Sequence, residues 1–99
     1  MTAPDREEAE TIATALVEER LCACVNVVGP IRSIYRWQGK VERSDEFLCV
    51  AKTSAGSVAA VKARLPQLHS YEVPELLVLP IADGLPPYLA WVLAESSPS

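Results

Sequence analysis

The chain has 99 residues, 49% apolar and 22% charged, with a formal net charge of −4, which is typical of one small soluble domain spanning residues 1–99. No apolar run approaches the roughly 20 residues that cross a bilayer, and a net-acidic chain lacks the basic footprint of nucleic-acid binding, so neither partner is predicted. The three cysteines show no disulfide spacing and no export leader precedes the first helix, which together predict a cytoplasmic protein.

The first element is an amphipathic helix. Asp5, with Glu8 three residues later, forms a start that resembles a capping box, and the acidic residues near it suit the positive end of the helix dipole. This acidic cluster therefore has a structural explanation that ranks ahead of metal binding. One apolar stripe follows at helical spacing, formed by Ala9, Ile12, Ala13, Leu16 and Val17.

A strand, a bend and a long hairpin come next. The apolar run at 24–28 predicts a strand, and Gly29-Pro30 predicts a bend or bulge in it. Alternation over 31–37 then places Ile31, Ser33, Tyr35 and Trp37 on one face and Arg32, Ile34 and Arg36 on the other. Gly39 allows a tight turn, and residues 41–53 form the returning strand.

Charge is unevenly distributed between the first helix and this hairpin. Residues 5–20 contain six acidic and two basic residues, whereas residues 32–43 contain four basic residues and one acidic residue. The basic hairpin suits a small anionic ligand or an acidic patch on a partner, and a solvated strand face is the plainer alternative.

The second half predicts a helix, a strand and a last helix. The second helix runs from Ser57 to about Leu65, where Pro66 should end or kink it. The apolar run at 76–79 predicts a strand, and a short helix should run from Tyr88 to about Ala94, with residues 96–99 fraying.

The resulting order, α-β-β-α-β-α, indicates an α+β fold of the ferredoxin-like βαββαβ plan with a long hairpin and an extra C-terminal helix. The first strand of that plan is truncated or missing, because only Met1, Thr2 and Ala3 precede the first helix. A truncated first strand leaves ladder groups without partners, at a cost of about 1–3 kcal/mol for each group that is buried.

Few residues carry obvious catalytic chemistry. His69 is the only histidine, and a general base or metal ligand is conceivable there, although a lone histidine is more often structural. Cys22 and Cys24 have the spacing of two sulfurs on one side of a strand, but a metal site normally needs three or four ligands. Cys24 and Cys49 lie in apolar runs that suggest core positions, and Cys22 is predicted to be the most exposed thiol.

Five segments together resemble one known family. In order along the chain they are ALVEERL at 15–21, ACVN at 23–26, SIYRWQGK at 33–40, LHSYEVPE at 68–75 and YLAW at 88–91. In this order they are similar to the CutA divalent-cation tolerance proteins, and the likeness extends from about Thr2 to Trp91.

The resemblance implies a cytoplasmic, non-enzymatic homotrimer that acts in divalent-cation tolerance, with sheets continued between subunits through the hairpin. It implies a small-ligand cleft between subunits that contains Tyr35, Trp37, Lys52, Tyr71 and Glu72. It also implies a metal response, with copper or another divalent cation as the candidate ligand and no cofactor required.

Three alternatives stay open at this point. One is direct copper binding by His69 with a sulfur ligand from Cys24, Cys22 or Met1. A second is regulation by a small anion, as in the PII signalling proteins, whose trimer plan is similar. A third is an unrecognised hydrolase that uses His69.

Overall fold

A computed structural model describes residues 1–97; Pro98 and Ser99, which the sequence predicts to fray, lie outside the described residues. Three strands and three α-helices are present in the described part, which confirms the α+β prediction. The strands are β1 (Thr2–Ala3), β2 (Cys24–Trp37) and β3 (Lys40–Lys52); the helices are α1 (Arg6–Glu18), α2 (Val58–Leu68) and α3 (Pro86–Glu95). A 3₁₀ turn at Ala55–Ser57 leads into α2.

Helix α1 begins where the sequence predicts. Asp5 is in an extended conformation, and its Oδ1 accepts a hydrogen bond from the backbone N–H of Glu8 at 2.8 Å, so the N-cap is formed. The buried face of α1 presents Ala9, Ile12 and Leu16 to the sheet. With Cys49, Val61 and Leu65 these side chains form the hydrophobic core, which lies between the sheet and the two helices α1 and α2.

The three strands form one antiparallel sheet in the order β1-β3-β2. Its main feature is the β2–β3 hairpin, in which Cys24 lies opposite Lys52 and Trp37 opposite Lys40. Gln38 and Gly39 close the turn with φ values of 50° and 81°, which are the positive values that a two-residue type I′ turn requires.

A bulge interrupts β2 where the sequence predicts one. Val28 pairs with Leu48, but the next pair is Ile31 with Glu46. Between these two pairs, β2 therefore contains one more residue than β3. Gly29 lies at the bulge, and a Cβ added there would come within 2.6 Å of Phe47 Cδ2. Phe47 therefore packs directly on the glycine backbone, which explains the residue type at position 29.

The first strand is truncated, as predicted, to two residues that pair with Leu48 and Phe47 of β3. The ferredoxin-like plan makes this strand central, yet within residues 1–97 it forms the edge of the sheet. The reason is that the predicted strand at 76–79 does not form in the single chain. The backbone there has no regular secondary structure and pairs with no strand, and Leu77 and Leu79 are 76% and 84% exposed.

Helix α2 is longer than predicted, because Pro66 does not end it. Pro66 lacks an N–H and leaves the Lys62 carbonyl without its helical donor, but both residues are exposed, so water can satisfy the group. The helix continues to Leu68, and the N–H of His69 donates to the Leu65 carbonyl at 3.1 Å.

The end of α3 is also more ordered than predicted. Ser96, which the sequence predicts to fray, is fully buried, and its Oγ accepts from the backbone N–H of Ser54 at 3.1 Å. The hydroxyl of Ser57 donates to the Ser96 carbonyl. The guanidinium of Arg20 donates to the carbonyls of Ala94 and Ser97, at 2.9 and 3.3 Å, and so caps the helix. The C-terminal end of α3 is therefore fixed to the base of the hairpin.

Candidate functional site

His69 lies at the junction of β1, α1 and the segment that follows α2. Its side chain is fully buried. Nε2 is 2.7 Å from the carbonyl oxygen of Thr2, and Nδ1 is 3.1 Å from the backbone N of Tyr71. A backbone carbonyl only accepts and a backbone N–H only donates, so Nε2 donates to Thr2 and Nδ1 accepts from Tyr71.

Glu8 completes this junction from the first turn of α1. Its Oε2 accepts from both the backbone N–H and the hydroxyl of Ser70, at 3.0 and 2.9 Å, and lies 3.3 Å from Nδ1 of His69. We call Thr2, Glu8, His69 and Ser70 the His69 clamp. Their contacts fix the start of the segment after α2 against β1 and α1, so the role that the geometry supports is structural.

Tyr71 projects from this clamp toward the hairpin. Its hydroxyl donates to Oε2 of Glu46 at 2.8 Å, and its ring lies 4.7 Å from the His69 ring. Burial raises the pKa of the Tyr71 hydroxyl, and the carboxylate of Glu46 raises it further. Glu46 is itself buried within β3, and no local motif in the sequence marks it as a site residue.

Of the predicted cleft residues, Tyr71 and Glu72 adjoin this clamp and the others lie along the hairpin. Tyr35 is opposite Glu42, and its hydroxyl is 3.4 Å from Oγ of Ser44, which is longer than a well-formed hydroxyl hydrogen bond.

The remaining two lie at opposite ends of the hairpin. Trp37 adjoins the turn, whereas Lys52 ends β3, so within one subunit the two are separated by about 40 Å of strand. One chain therefore does not assemble these five residues into a single pocket. A shallow depression occurs elsewhere, on the outer side of α1 between Arg6 and Glu18, and contains none of the predicted site residues.

The predicted metal ligands are not adjacent either. Cys24 is opposite Lys52, whereas His69 contacts Thr2, which is opposite Leu48, so they lie about four strand positions or 13 Å apart along β3. Both nitrogens of His69 already have hydrogen-bond partners. Among residues 1–97, no group of three or more His, Cys, Asp or Glu side chains has a metal-binding arrangement.

The cysteines differ from the sequence interpretation at two positions, because Cys24 is predicted to lie in the core and Cys22 to be exposed. The sequence predicts Cys22 to be the most exposed thiol, but it is fully buried and Cys24 is the partly exposed one. The turn after α1 directs Cys22 into the core, and this burial raises the pKa of its thiol to about 11. Cys49 is buried as predicted.

Fold and site together define a class of small α+β protein with a long two-stranded hairpin, a histidine clamp beside a truncated first strand, and an unpaired apolar segment after the clamp. The sequence matches the CutA1 divalent ion tolerance proteins over residues 1–95. The chain therefore belongs to the CutA1 divalent ion tolerance protein family.

Individual relatives agree with this assignment. The divalent-cation tolerance protein CutA of Thermus thermophilus is 51% identical over 92 residues, covering 93% of this chain and 89% of the relative. Protein CutA of Mus musculus is 46% identical over the same share of this chain, but the match spans only 52% of the mouse protein.

Solved structures show the same fold. The Thermus thermophilus divalent cation tolerance protein superposes with a TM-score of 0.94 at 49% identity, covering 97% of this chain and 93% of that one. A structure from Archaeoglobus fulgidus, described as a periplasmic divalent cation tolerance protein, superposes with a TM-score of 0.93 at 41% identity, covering 97% and 93%. Within residues 1–97, no helix is long and apolar enough to cross a membrane.

Proposed function

We propose that this protein acts in divalent-cation tolerance as a non-enzymatic, homotrimeric metal-response or signalling protein formed from one CutA-like domain, residues 1–99. The observation that carries the trimer is the apolar segment after the clamp. Val73, Leu77, Val78, Leu79 and Ile81 are all more than half exposed. An exposed apolar surface of this length is the mark of an association site.

The backbone supports the same proposal. Residues 76–79 make no backbone hydrogen bonds within the described chain, and β1 and β2 form the outer edges of the described sheet. Exposed edges of this kind favour pairing with another chain. The molecule is also elongated: its radius of gyration is 14.3 Å, against about 13 Å for a compact chain of this length, because the hairpin projects from the core.

Assembly would also explain the dispersed cleft residues. Trp37 at the turn and Lys52 at the base of the hairpin share one pocket only if they come from different subunits. The aromatic face of the hairpin, formed by Ile31, Ser33, Tyr35 and Trp37, is the surface that we assign to this subunit contact. Tyr71 and Glu72 would reach the same cleft from the His69 clamp.

Sedimentation equilibrium and native mass spectrometry test the assembly. We expect a particle of three chains, stable on dilution to micromolar concentration. A variant with Leu77→Ser and Leu79→Ser should dissociate while keeping its helical circular dichroism, and a matched variant with Thr11→Ser and Thr14→Ser on the outer side of α1 should not. A wild-type monomer with an intact fold would disprove the proposal.

The metal response is proposed without His69 as a resident ligand, because both of its ring nitrogens are occupied. Cys24, which is partly exposed, is the available soft ligand for Cu(I), and a second subunit would have to supply the others. Calorimetric titration with Cu(I) and Cu²⁺ should show binding that Cys24→Ser weakens and His69→Gln does not abolish. Binding that depends on His69 alone would favour the alternative of a histidine-centred copper site.

We also propose a cytoplasmic location, for which the three free cysteines are the support. Fractionation of cells that produce the protein from its own locus tests this, and recovery outside the cytoplasm would contradict it.

A further inference from the structure

A short connection without regular secondary structure joins the apolar segment after the clamp to helix α3. It comprises residues 82–85, all of which are exposed. Asp83 and Gly84 stand side by side in it, at the one place in the sequence where an aspartate precedes a glycine. The peptide nitrogen that follows an aspartate can attack the carboxyl carbon of that side chain, and a glycine leaves the approach open because it has no Cβ. This dipeptide therefore has the composition that favours a covalent change of the main chain.

The side chain of Asp83 is folded back onto the nitrogen that would attack it. The N–H of Gly84 donates to Oδ1 of Asp83 at 2.8 Å, which holds the carboxyl group against the peptide nitrogen. In the part of the chain that the structure describes, this N–H donates to no backbone carbonyl, so no helix or strand restrains the nitrogen. Holding two reacting groups together in this way lowers the entropy cost of their reaction.

The other two aspartates of the chain lack this arrangement. Asp5 caps α1, and its Oδ1 accepts from the N–H of Glu8 rather than from the next residue. Asp45 lies within β3, where its Oδ1 accepts from the guanidinium of Arg32. In both cases the following residue has a long side chain and a backbone held in regular secondary structure, which hinders ring closure. The chain itself therefore singles out Asp83.

The packing of α3 explains why a glycine occupies position 84. A Cβ added to Gly84 would lie 2.9 Å from Cδ2 of Leu89, in the first turn of α3. Any other residue type would require the Leu89 side chain to move. The close approach of the connection to the helix thus favours the one residue type that leaves the reaction open.

We propose that Asp83-Gly84 is a site of spontaneous isomerisation through a cyclic imide. The nitrogen of Gly84 forms a bond to Cγ of Asp83, and the amide proton leaves with the carboxyl hydroxyl as water, which closes a succinimide ring. Water then adds to either ring carbonyl and breaks its bond to nitrogen. Opening at the main-chain carbonyl gives isoaspartate, and opening at Cγ restores aspartate. One water is lost and one is gained, so the change needs no oxidant, reductant or other co-reactant.

Isomerisation would alter the connection to α3 without changing its charge. The isoaspartyl link passes through Cβ and Cγ of Asp83, so the main chain gains one carbon and the free carboxylate moves to the former backbone carbonyl. The added length falls directly before Gly84, whose close approach to Leu89 fixes the connection against the first turn of α3. The reaction uses residues of a single subunit, so it does not depend on the proposed trimer or metal response.

Incubation in heavy-oxygen water tests the site in the intact protein. After incubation at physiological temperature, the protein is digested in ordinary water and its peptides are analysed by mass spectrometry with electron-transfer fragmentation. We expect heavy oxygen and an isoaspartyl isomer at Asp83, and neither at Asp5 or Asp45, which serve as internal controls. A synthetic peptide of residues 81–86 sets the interval. An unlabelled Asp83 in the protein after the free peptide has reacted, or equal labelling of all three aspartates, would overturn the inference.

Two pairs of variants test the chemistry. Asp83→Glu should abolish the isomer, because the longer side chain closes a larger ring far more slowly, and Asp45→Glu should leave it at the wild-type level. Leu89→Ala makes room beside position 84 and should retain the isomer, whereas Leu89→Ala combined with Gly84→Ala should form less, because the added Cβ obstructs the attack without meeting Leu89. Equal amounts in these last two variants, with circular dichroism showing both folded, would contradict attack by the Gly84 nitrogen.

Discussion

Two apolar stretches of this chain have opposite environments. Residues 47–51 of β3 lie beneath α1 and contribute Cys49 to the core, whereas residues 76–79 belong to no strand and have most of their side chains in solvent. Both have the sequence pattern of strands, and their hydrophobicity is similar. The difference lies in strand pairing: β3 pairs with β1 and β2, and no described strand pairs with the second stretch. This exposed apolar stretch is the surface that the proposed assembly would cover.

The largest expected loss of stability comes from replacing leucine by alanine at a core position, and the same substitution in the exposed stretch provides the comparison. Leu16→Ala removes a fully buried side chain and should lower the free energy of unfolding by about 3 kcal/mol at any protein concentration. Leu79→Ala removes a side chain exposed in the single subunit, so its cost should appear only at concentrations where subunits associate. Urea unfolding over a range of protein concentrations measures both. A concentration-independent cost for Leu79→Ala would contradict the contrast.

Gly29→Ala tests the close contact at the bulge. The added Cβ would approach Phe47 Cδ2 to 2.6 Å, and relieving this clash should cost about 1–3 kcal/mol of stability. Gly56→Ala is the matched control, because a Cβ there meets no atom within 4 Å. Adding Phe47→Leu to Gly29→Ala should recover part of the loss; an unchanged loss would mean that the clash is not its cause.

Cys22 should make stability depend on pH in the alkaline range. Its pKa is raised from 9.0 to about 11, so its contribution is fully present below pH 9 and is lost as the pH rises toward 11, because the unfolded chain then ionises first. The free energy of unfolding should fall by about 2 kcal/mol over this interval. Replacing the thiol with Cys22→Ala should make the slope shallower and leave the part that comes from Tyr71 and Cys49, whose pKa values are also raised by burial, and Cys24→Ala, at the partly exposed position, should not change it. A slope untouched by Cys22→Ala would rule out this origin.

Loss of the Tyr71–Glu46 hydrogen bond is expected to lower the free energy of unfolding by as much as the ionisation of Cys22, or by less. Tyr71→Phe leaves the buried Glu46 carboxylate without its donor and should cost about 1–2 kcal/mol. Tyr88→Phe, on the exposed face of α3, is the control and should change subunit stability little. Equal losses in the two variants would show that the hydroxyl of Tyr71 is not specifically used.

The smallest effect concerns the surface pair formed by Arg64 and Glu19, whose side chains make two hydrogen bonds of 2.9 and 3.0 Å. The Arg64 hydrogen bond lowers the pKa of Glu19, so the contribution exists above the ordinary carboxyl range and is lost as the pH falls through the lowered pKa. Arg64→Gln should destabilise slightly at low salt and not at high salt. A salt-independent loss would indicate lost packing instead.

The sequence predicts best those features that depend on local physics. The capped start of α1, the bulge at Gly29-Pro30 and the turn at Gly39 each follow from residues within a few positions. Prediction from the sequence fails where contacts with distant parts of the chain determine burial or strand pairing. Cys22 is buried because the turn after α1 directs it inward, and the stretch at 76–79 stays unpaired because no described strand pairs with it.

The candidate site divides in the same way. His69, Tyr71 and Glu72 lie close together along the chain, so a single block identifies them, and the structure places His69 in a clamp. Glu8 and Glu46, which complete the surroundings of His69 and Tyr71, come from α1 and β3 and carry no local signal. A carboxylate three residues after a cap looks like helix chemistry, and only the fold shows that it also binds Ser70.

The bulge in β2 sets the orientation of the hairpin's two surfaces. Val25 and Val27 face the helices, and uninterrupted alternation would turn Tyr35 and Trp37 to that same side. The one extra residue between Val28 and Ile31 reverses the phase, so the arginines lie on the helix-bearing side and the aromatic residues on the other. Deleting a single residue there would remove the bulge and leave both faces where they are, because Ile31 would then follow Val28 by two positions and stay opposite Glu46. Pairing all the present residues without a bulge would instead turn the outer part of β2 over, so the bulge, rather than any functional group, decides which side of the sheet the arginines and the aromatic residues occupy.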